Sequence, residues 1–240
     1  MRILVKFASR SRPGRFFEGL DSIYSLVARP ELLTVFCCLD RNDATIFDEG
    51  GDEFAHDFRA RTAEFCFRHT PTAMNIIYDP GNSVSKIDAI NRKVPDTIPW
   101  DILVNFSDDM RFTVYGWDEL IREGFRCNGP DKFLHYPDST AKNMLATMSI
   151  MDRAYFERDG YIYHPSYKSL WCDNEAMEVA KLRGCYVYMG IQIFDHLHPA
   201  YGLAQWDEQY RRQQTFWEED ELNFKIRQAH NFYLDGVDHK

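Results

Sequence analysis

Within the stretch Trp100 to Thr113, the triplet Ser107-Asp108-Asp109 has the residue types and spacing for metal chemistry. The apolar run Ile102-Leu103-Val104-Asn105-Phe106 ends just before it, so two adjacent carboxylates are delivered to one point. Carboxylate oxygen is the preferred ligand of hard cations such as magnesium and manganese, and those ions commonly carry phosphate. Ser9, Arg10, Arg12, Asp40 and Asp79 also stand where apolar runs give way to polar loops. Guanidinium groups among them suit phosphate oxygen through paired hydrogen bonds. The competing reading of the acids is a surface turn, in which Ser-Asp-Asp caps the next helix or faces water.

The elements that must position these groups are legible from periodicity. Short, continuous apolar runs at residues 2–8, 32–39, 75–78 and 102–106 read as strands buried on both faces. Between them, Phe16, Leu20, Ile23, Tyr24 and Val27 predict a helix over 15–28, and Phe54, Phe58 and Phe65 predict one over about 52–66. Val84, Ile87 and Ile90 mark a third helix that ends before Pro95. Strand and helix alternate four times in the first 125 residues. That alternation predicts an α/β fold with a mostly parallel central sheet, right-handed crossovers and flanking helices. In such sheets ligands gather at the carboxyl ends of the strands, where Asp40, Asp79, Asp108 and Asp109 converge.

The second half is less regular. Residues 133–136 and 146–151 read as strands, followed by a loop rich in Tyr and Gly over 159–169. A helix over 176–184 is well signalled, with Asp173 or Asn174 as its cap, acids early, basics late and Gly184 at the stop. Residues 185–194 read as one further strand, ending in Asp195-His196-Leu197-His198-Pro199. The charged tail, about 207–232, spaces Tyr210, Trp217 and Phe224 seven apart, which predicts one apolar stripe on a solvated helix packed against the body.

At 240 residues the chain can bury a sizeable core, and 45% hydrophobic with 15% aromatic residues excludes a disordered chain. A formal charge of −9 argues against binding a nucleic-acid backbone. Cys37, Cys38, Cys66, Cys127, Cys172 and Cys185 show no zinc-ligand spacing, and reading them as reduced thiols predicts a cytoplasmic protein. No apolar run has the length of a transmembrane segment. The composition is compatible with a monomer or an oligomer.

In this order the motifs resemble the GT-A nucleotide-diphospho-sugar glycosyltransferases, particularly the family-2-like group, from about residue 3 to residue 198. The resemblance implies a Rossmann-like GT-A domain over 1–203, with a nucleotide-binding half at 1–113, an acceptor half at 114–203 and a helical C-terminal extension at 204–240. It implies a nucleotide-contacting loop at Ala8 to Pro13, hence Ser9, Arg10 and Arg12, an acid reading the uracil ring at Asp40, and Lys86 on the helix before the metal strand. Asp109 becomes a ligand of Mn2+ or Mg2+, with Asp108 near the ribose or the metal's water shell. Asp173, eleven positions before Gly184, takes the place of the catalytic base, although Cys172 stands where the family has Glu, and Glu175 is the rival. His196 is the further metal ligand, with His198 as its rival. Trp171 and the Tyr161, Tyr163 and Tyr167 cluster would offer an acceptor aromatic faces, or serve core packing.

The function so implied is metal-dependent transfer of a sugar from a nucleotide-diphosphate donor, a UDP-sugar by preference, to an acceptor hydroxyl. Inversion at the anomeric carbon is expected from a carboxylate base. Two alternatives share the fold. A non-catalytic nucleotide-sugar-binding module is motivated by Cys172. A sugar-nucleotide pyrophosphorylase would need a Gly-rich loop after the first strand, where only Gly14 is present.

Overall fold

The computed structural model describes residues 1–70, 72 and 74–234, so the end of the expected C-terminal extension, 235–240, lies outside the described residues. The first half runs β1 (Ile3–Ser9), α1 (Pro13–Leu26), β2 (Leu33–Asp40), α2 (His56–Arg68), β3 (Ile76–Gly81), α3 (Lys86–Asn91), β4 (Ile102–Ser107). It continues with β5 (Met110–Phe112) and α4 (Trp117–Asn128). The second half comprises β6 (Phe133–His135), β7 (Ile150–Asp152), α5 (Arg153–Phe156), α6 (Cys172–Leu182), β8 (Tyr186–Tyr188), β9 (Phe194–His196), α7 (Glu208–Gln214) and α8 (Trp217–Ala229).

The seven-stranded central sheet has the order β3-β2-β1-β4-β7-β6-β8. Strands β1 to β4 are mutually parallel, β7 runs antiparallel to both β4 and β6, and β6 and β8 pair in parallel. The expected mostly parallel α/β sheet is therefore what forms. Every residue of β2 is buried, as are nearly all of β1 and β4, which is why these segments read as unbroken apolar runs. One apolar layer joins Val5, Phe7, Val35 and Phe106 to Phe16, Leu20 and Ile23 of α1 and to Phe58 of α2. The other joins Leu4, Phe36 and Leu103 to α3, α6 and α8. Gly19 lets α1 approach the sheet closely, since a Cβ there would sit 2.9 Å from the Phe7 ring.

Several second-half expectations are corrected. The single strand over 185–194 is two, β8 and β9, because Gly190 between them adopts φ +66°, which strand geometry excludes. β9 leaves the main sheet and pairs antiparallel with β5, setting His196 opposite Met110. The strand at 146–151 shrinks to β7, and the one at 133–136 to β6. Helix α6 starts at Cys172 rather than 176, and neither Asp173 nor Asn174 caps it. Trp171 stands at the cap with φ 61° and no side-chain hydrogen bond. The tail is two helices rather than one striped helix. Tyr210 and Phe224 are buried, whereas Trp217 is 42% exposed. Two interhelical residues reset the face that each helix presents, so a heptad spacing across them carries no common side.

Candidate active site

β1 lies between β2 and β4, and the chain turns from one side of it to the other at this point, which makes the gap between the carboxyl ends of β1 and β4 the topological switch of the sheet. Ser9 closes β1 and Asp108 follows β4, so the two meet there. Ser9 Oγ donates to Asp108 Oδ2 at 2.8 Å, and Arg12 Nη1 donates to Asp108 Oδ1 at 2.9 Å. Asp108 is thus held by the β1 loop. Burial raises its carboxyl above the usual range, with Arg12 pulling the other way and neighbouring Asp109 adding to the rise.

Asp109 looks the other way. Its Oδ1 accepts from Ser107 Oγ at 2.7 Å, and its Oδ2 lies 3.1 Å from the Tyr210 hydroxyl and 3.6 Å from His196 Nε2. The β5–β9 pairing brings His196 here, and Leu197 N–H donates to the Asp109 carbonyl at 2.7 Å. Burial alone would raise the Asp109 carboxyl, but His196 outweighs it, with help from Lys86, and holds the carboxyl well below its ordinary value. Burial would likewise lower His196, yet Asp109 and Asp138 together push it up to about 9. His198, the rival, is lowered to about 4 by burial and by the adjacent His196, and its Nδ1 accepts from Ala200 N–H at 3.2 Å.

Cleft walls come from six segments, one of them Ser107, Asp108 and Asp109 at the end of β4. Arg10 and Arg12 follow β1, Asp40 ends β2, Lys86 opens α3, Lys168 and Ser169 precede α6, and Gln209, Arg212 and Phe216 belong to the tail. Asp40 accepts from Arg10 Nη1 at 2.9 Å and from Ser83 N–H at 3.0 Å. Asp79 lies outside this lining and faces Arg92 at 3.5 Å. Asp173 sits in the first turn of α6, where burial raises its carboxyl while Lys86 lowers it. Glu175 is fully engaged elsewhere. It accepts two bonds from Arg227, at 2.8 and 2.9 Å, and one from Tyr167 at 2.7 Å. Trp171 does not line the cleft and packs against Trp217 and Phe224, each at 5.4 Å between ring centroids. Tyr163 and Tyr167 are buried.

Residues not singled out from the sequence complete the site. Asp138, in the segment between β6 and β7, accepts from Thr140 N–H at 2.7 Å and Ala141 N–H at 2.6 Å, and stands 3.7 Å from His196 Nδ1. Against the effect of its burial, His196 and Thr147 hold its carboxyl well below the usual range. Asp207 caps α7 and takes Arg12 bidentately at 2.8 and 2.6 Å. Arg12 in turn stacks over the Tyr210 ring at 3.8 Å, and Arg15 Nη1 donates to the Tyr210 hydroxyl at 2.7 Å. From α8, Asp220 accepts the N–H groups of Lys168, Ser169 and Leu170 at 2.9, 2.9 and 2.8 Å, which fixes that wall. The space left between these walls is about 70 Å³, against roughly 300 Å³ or more in a typical small-molecule pocket.

One carboxylate and one imidazole make a mixed donor set, which is compatible with a divalent cation that completes its shell from elsewhere. A carboxylate oxygen and an imidazole nitrogen 3.6 Å apart can both reach one ion, and the inner carboxylate Asp138 faces the far ring nitrogen as an orienting partner. Among the described residues no three His, Cys, Asp or Glu side chains form a self-sufficient cage. Two protein ligands plus phosphate oxygens is the usual pattern for magnesium at a nucleotide.

No family model and no curated protein matches the chain by sequence. Solved structures match it by fold. The mannosyltransferase PcManGT from Pyrobaculum calidifontis, in complex with GDP-Man and Mn2+, superposes with a TM-score of 0.59 at 12% identity, covering 82% of this chain and 57% of that one. TarS 1-349 from S. aureus with UDP gives 0.58 at 10%, covering 81% and 60%, so the chain spans less than two thirds of the length of these two matched structures. TarS 1-349 on its own gives 0.57 at 12%, covering 99% and 76%. With the sheet order and the switch-point cleft, these likenesses establish the GT-A-like fold of nucleotide-sugar glycosyltransferases.

Proposed function

We propose that the chain is a metal-dependent glycosyltransferase that moves a sugar from a nucleotide-diphosphate donor, a UDP-sugar by preference, to an acceptor hydroxyl. The observation that carries this reading is the 3.6 Å approach of Asp109 and His196 at the switch point, beside a cleft lined by Arg10, Arg12 and Lys86. Asp109 and His196 would hold Mn2+ or Mg2+, which when bound supplies Lewis-acid stabilisation of the leaving diphosphate. Arg12, Lys86 and, from the tail, Arg212 donate hydrogen bonds to phosphate. Ser9, Arg10, Asp40 and Asp108 hold the nucleoside end, with Asp40 accepting from the ring N–H. The space is narrow and α7 forms part of its wall, so on this reading α7 is the element that would have to yield to admit the donor.

The acceptor sits at the start of α6, beside Asp173 and the half-buried Trp171. As the acceptor oxygen bonds to the anomeric carbon and the bond to diphosphate breaks, Asp173 takes the hydroxyl proton, giving inversion. A carboxyl raised by burial is a better base for that transfer than a solvated one. The six unpaired cysteines, with Cys37 and Cys38 fully buried, support a cytoplasmic setting. No helix among the described residues is long and apolar enough to cross a membrane.

Incubating the protein with a panel of nucleotide sugars and Mn2+, with mass spectrometry for free nucleoside diphosphate, tests the reading. Release from a UDP-sugar is expected. The absence of release with every donor, with and without sugar acceptors, overturns it.

A further inference from the structure

A second cavity, of about 450 Å³, lies on the same face of the sheet as α3, under the loop that follows that helix. Its size falls in the range of small-ligand sites. Trp100, Leu103, Ile90 and Ile162 give it apolar walls, and Phe156 stands edge-on to Trp100 at 5.4 Å. Arg153 covers Trp100 at 4.8 Å from the ring centroid.

Four cations line this space, and three of them have acids of their own. Arg153 pairs with Glu157 at 2.9 Å and Lys93 with Asp96 at 3.1 Å. Arg92 turns its guanidinium to Asp79 at 3.5 Å and to the Leu39 carbonyl at 3.2 Å. Lys6 differs. It projects from the middle of β1, is 3% exposed, and its ammonium donates to the Arg92 carbonyl and lies 5.7 Å from the Phe36 ring. Among the described residues no carboxylate comes within ion-pair distance of it. Buried ammonium groups are normally paired, because removing a charge from water without a counter-charge is costly. Burial accordingly lowers its proton affinity.

We propose that this cavity is a second ligand site, taking a small organic carboxylate whose apolar body fills the walls around Trp100 and Leu103 and whose anion pairs with the Lys6 ammonium. The site is separate from the donor cleft, whose lining shares no residue with it. Carboxylate is favoured over phosphate because Lys6 is the one lining cation without an acid of its own among the described residues, so a single charge is left to meet, while Ile90, Trp100, Leu103 and Ile162 give an apolar ring its surroundings.

Calorimetric titration of the full chain with 2-naphthoate, 2-naphthamide and inorganic phosphate tests this. Saturable one-to-one binding of naphthoate is expected, with the amide at least tenfold weaker and phosphate without effect. Lys6→Met should weaken naphthoate at least tenfold, and Val94→Trp, which fills the mouth without touching Lys6, should block it. The proposal is overturned if naphthoate does not saturate, if amide and acid bind equally, or if both variants bind as the parent does. It is equally overturned if uridine diphosphate displaces naphthoate competitively, since the ligand would then sit in the donor cleft.

Discussion

The two ends of the central sheet both bury charge, and they do so differently. At the amino end, α4 places Asp118 and Arg122 in full burial. Asp118 accepts from Ala28 N–H at 2.8 Å, Arg29 N–H at 3.0 Å and Arg122 Nη1 at 2.5 Å. Arg122 also donates to the Met1 carbonyl at 2.8 Å and to Glu119 at 2.8 Å. That network ties the starts of β1 and β2 to α4 and leaves nothing to offer a ligand. At the carboxyl end, Asp109 and His196 stand 3.6 Å apart and His196 Nδ1 faces Asp138 at 3.7 Å, beyond hydrogen-bond reach, so that ring nitrogen is buried with no hydrogen-bond partner among the described residues. Closed charge networks build the scaffold, and incompletely closed ones mark where a ligand completes the set.

The largest effects should separate these ends. Asp109→Asn keeps size and removes the anionic ligand, so donor turnover should fall about a thousandfold or more, with a smaller fall in urea midpoint than Arg122→Met gives, from the lost pairing with His196. Arg122→Met should do the reverse. Stranding the Asp118 carboxylate among two backbone N–H groups should cost about 3–5 kcal/mol of stability, read from urea unfolding, while turnover per folded molecule is retained. If Arg122→Met lowers turnover with stability intact, the division between the ends fails. Asp173→Asn comes next, with turnover down about a hundredfold to ten-thousandfold and Mn2+-dependent binding of uridine diphosphate preserved. A protein with no turnover to lose but intact nucleotide binding would be a binding module.

The carboxyl end was half legible in sequence, for physical reasons. Ser107-Asp108-Asp109 and the loop at Ser9 to Arg12 were visible because parallel strands advertise themselves as apolar runs, and their ends are then fixed in space by topology. Asp138 was not. Its Asp-Ser-Thr surroundings signal a local turn, which it does make with Thr140, and nothing local says that this turn abuts β9. Tyr210 was seen and misread. Its heptad partners suggested a helix stripe, whereas its contacts, Asp109, Arg12 and Arg15, are a hundred or more positions away in sequence. β9 itself was hidden because its two-strand pairing with β5 is long-range and only three residues long.

The tail sharpens the comparison at intermediate size. Asp207 caps α7 and holds Arg12, while Arg12 keeps its bond to Asp108. Asp207→Ala removes a cap worth about 1 kcal/mol, so nucleotide association by stopped-flow should speed up about fivefold if α7 gates the cleft. An unchanged association rate would mean that α7 braces the site without gating it.

The smallest effect contrasts two histidines. His135 is fully buried on β6, with Nδ1 2.8 Å from the Tyr186 hydroxyl and Nε2 2.9 Å from the Lys142 carbonyl. Those contacts suit a neutral ring that donates to the carbonyl and accepts from the hydroxyl. Burial lowers its proton affinity, whereas His196 between two carboxylates is raised to about 9. With a folded value below the unfolded one of roughly 6.5, the unfolded chain binds the proton first as pH falls. The stability His135 contributes is therefore present above about pH 6.5 and is lost as pH drops below it, by at most about 1.4 kcal/mol per pH unit. His135→Gln removes the titration, so its urea midpoint should vary less between pH 7 and pH 5 than that of the parent, whatever its absolute stability. An identical slope in parent and variant would mean that the ring titrates alike in both states, and His135 would no longer stand as the closed counterpart of His196.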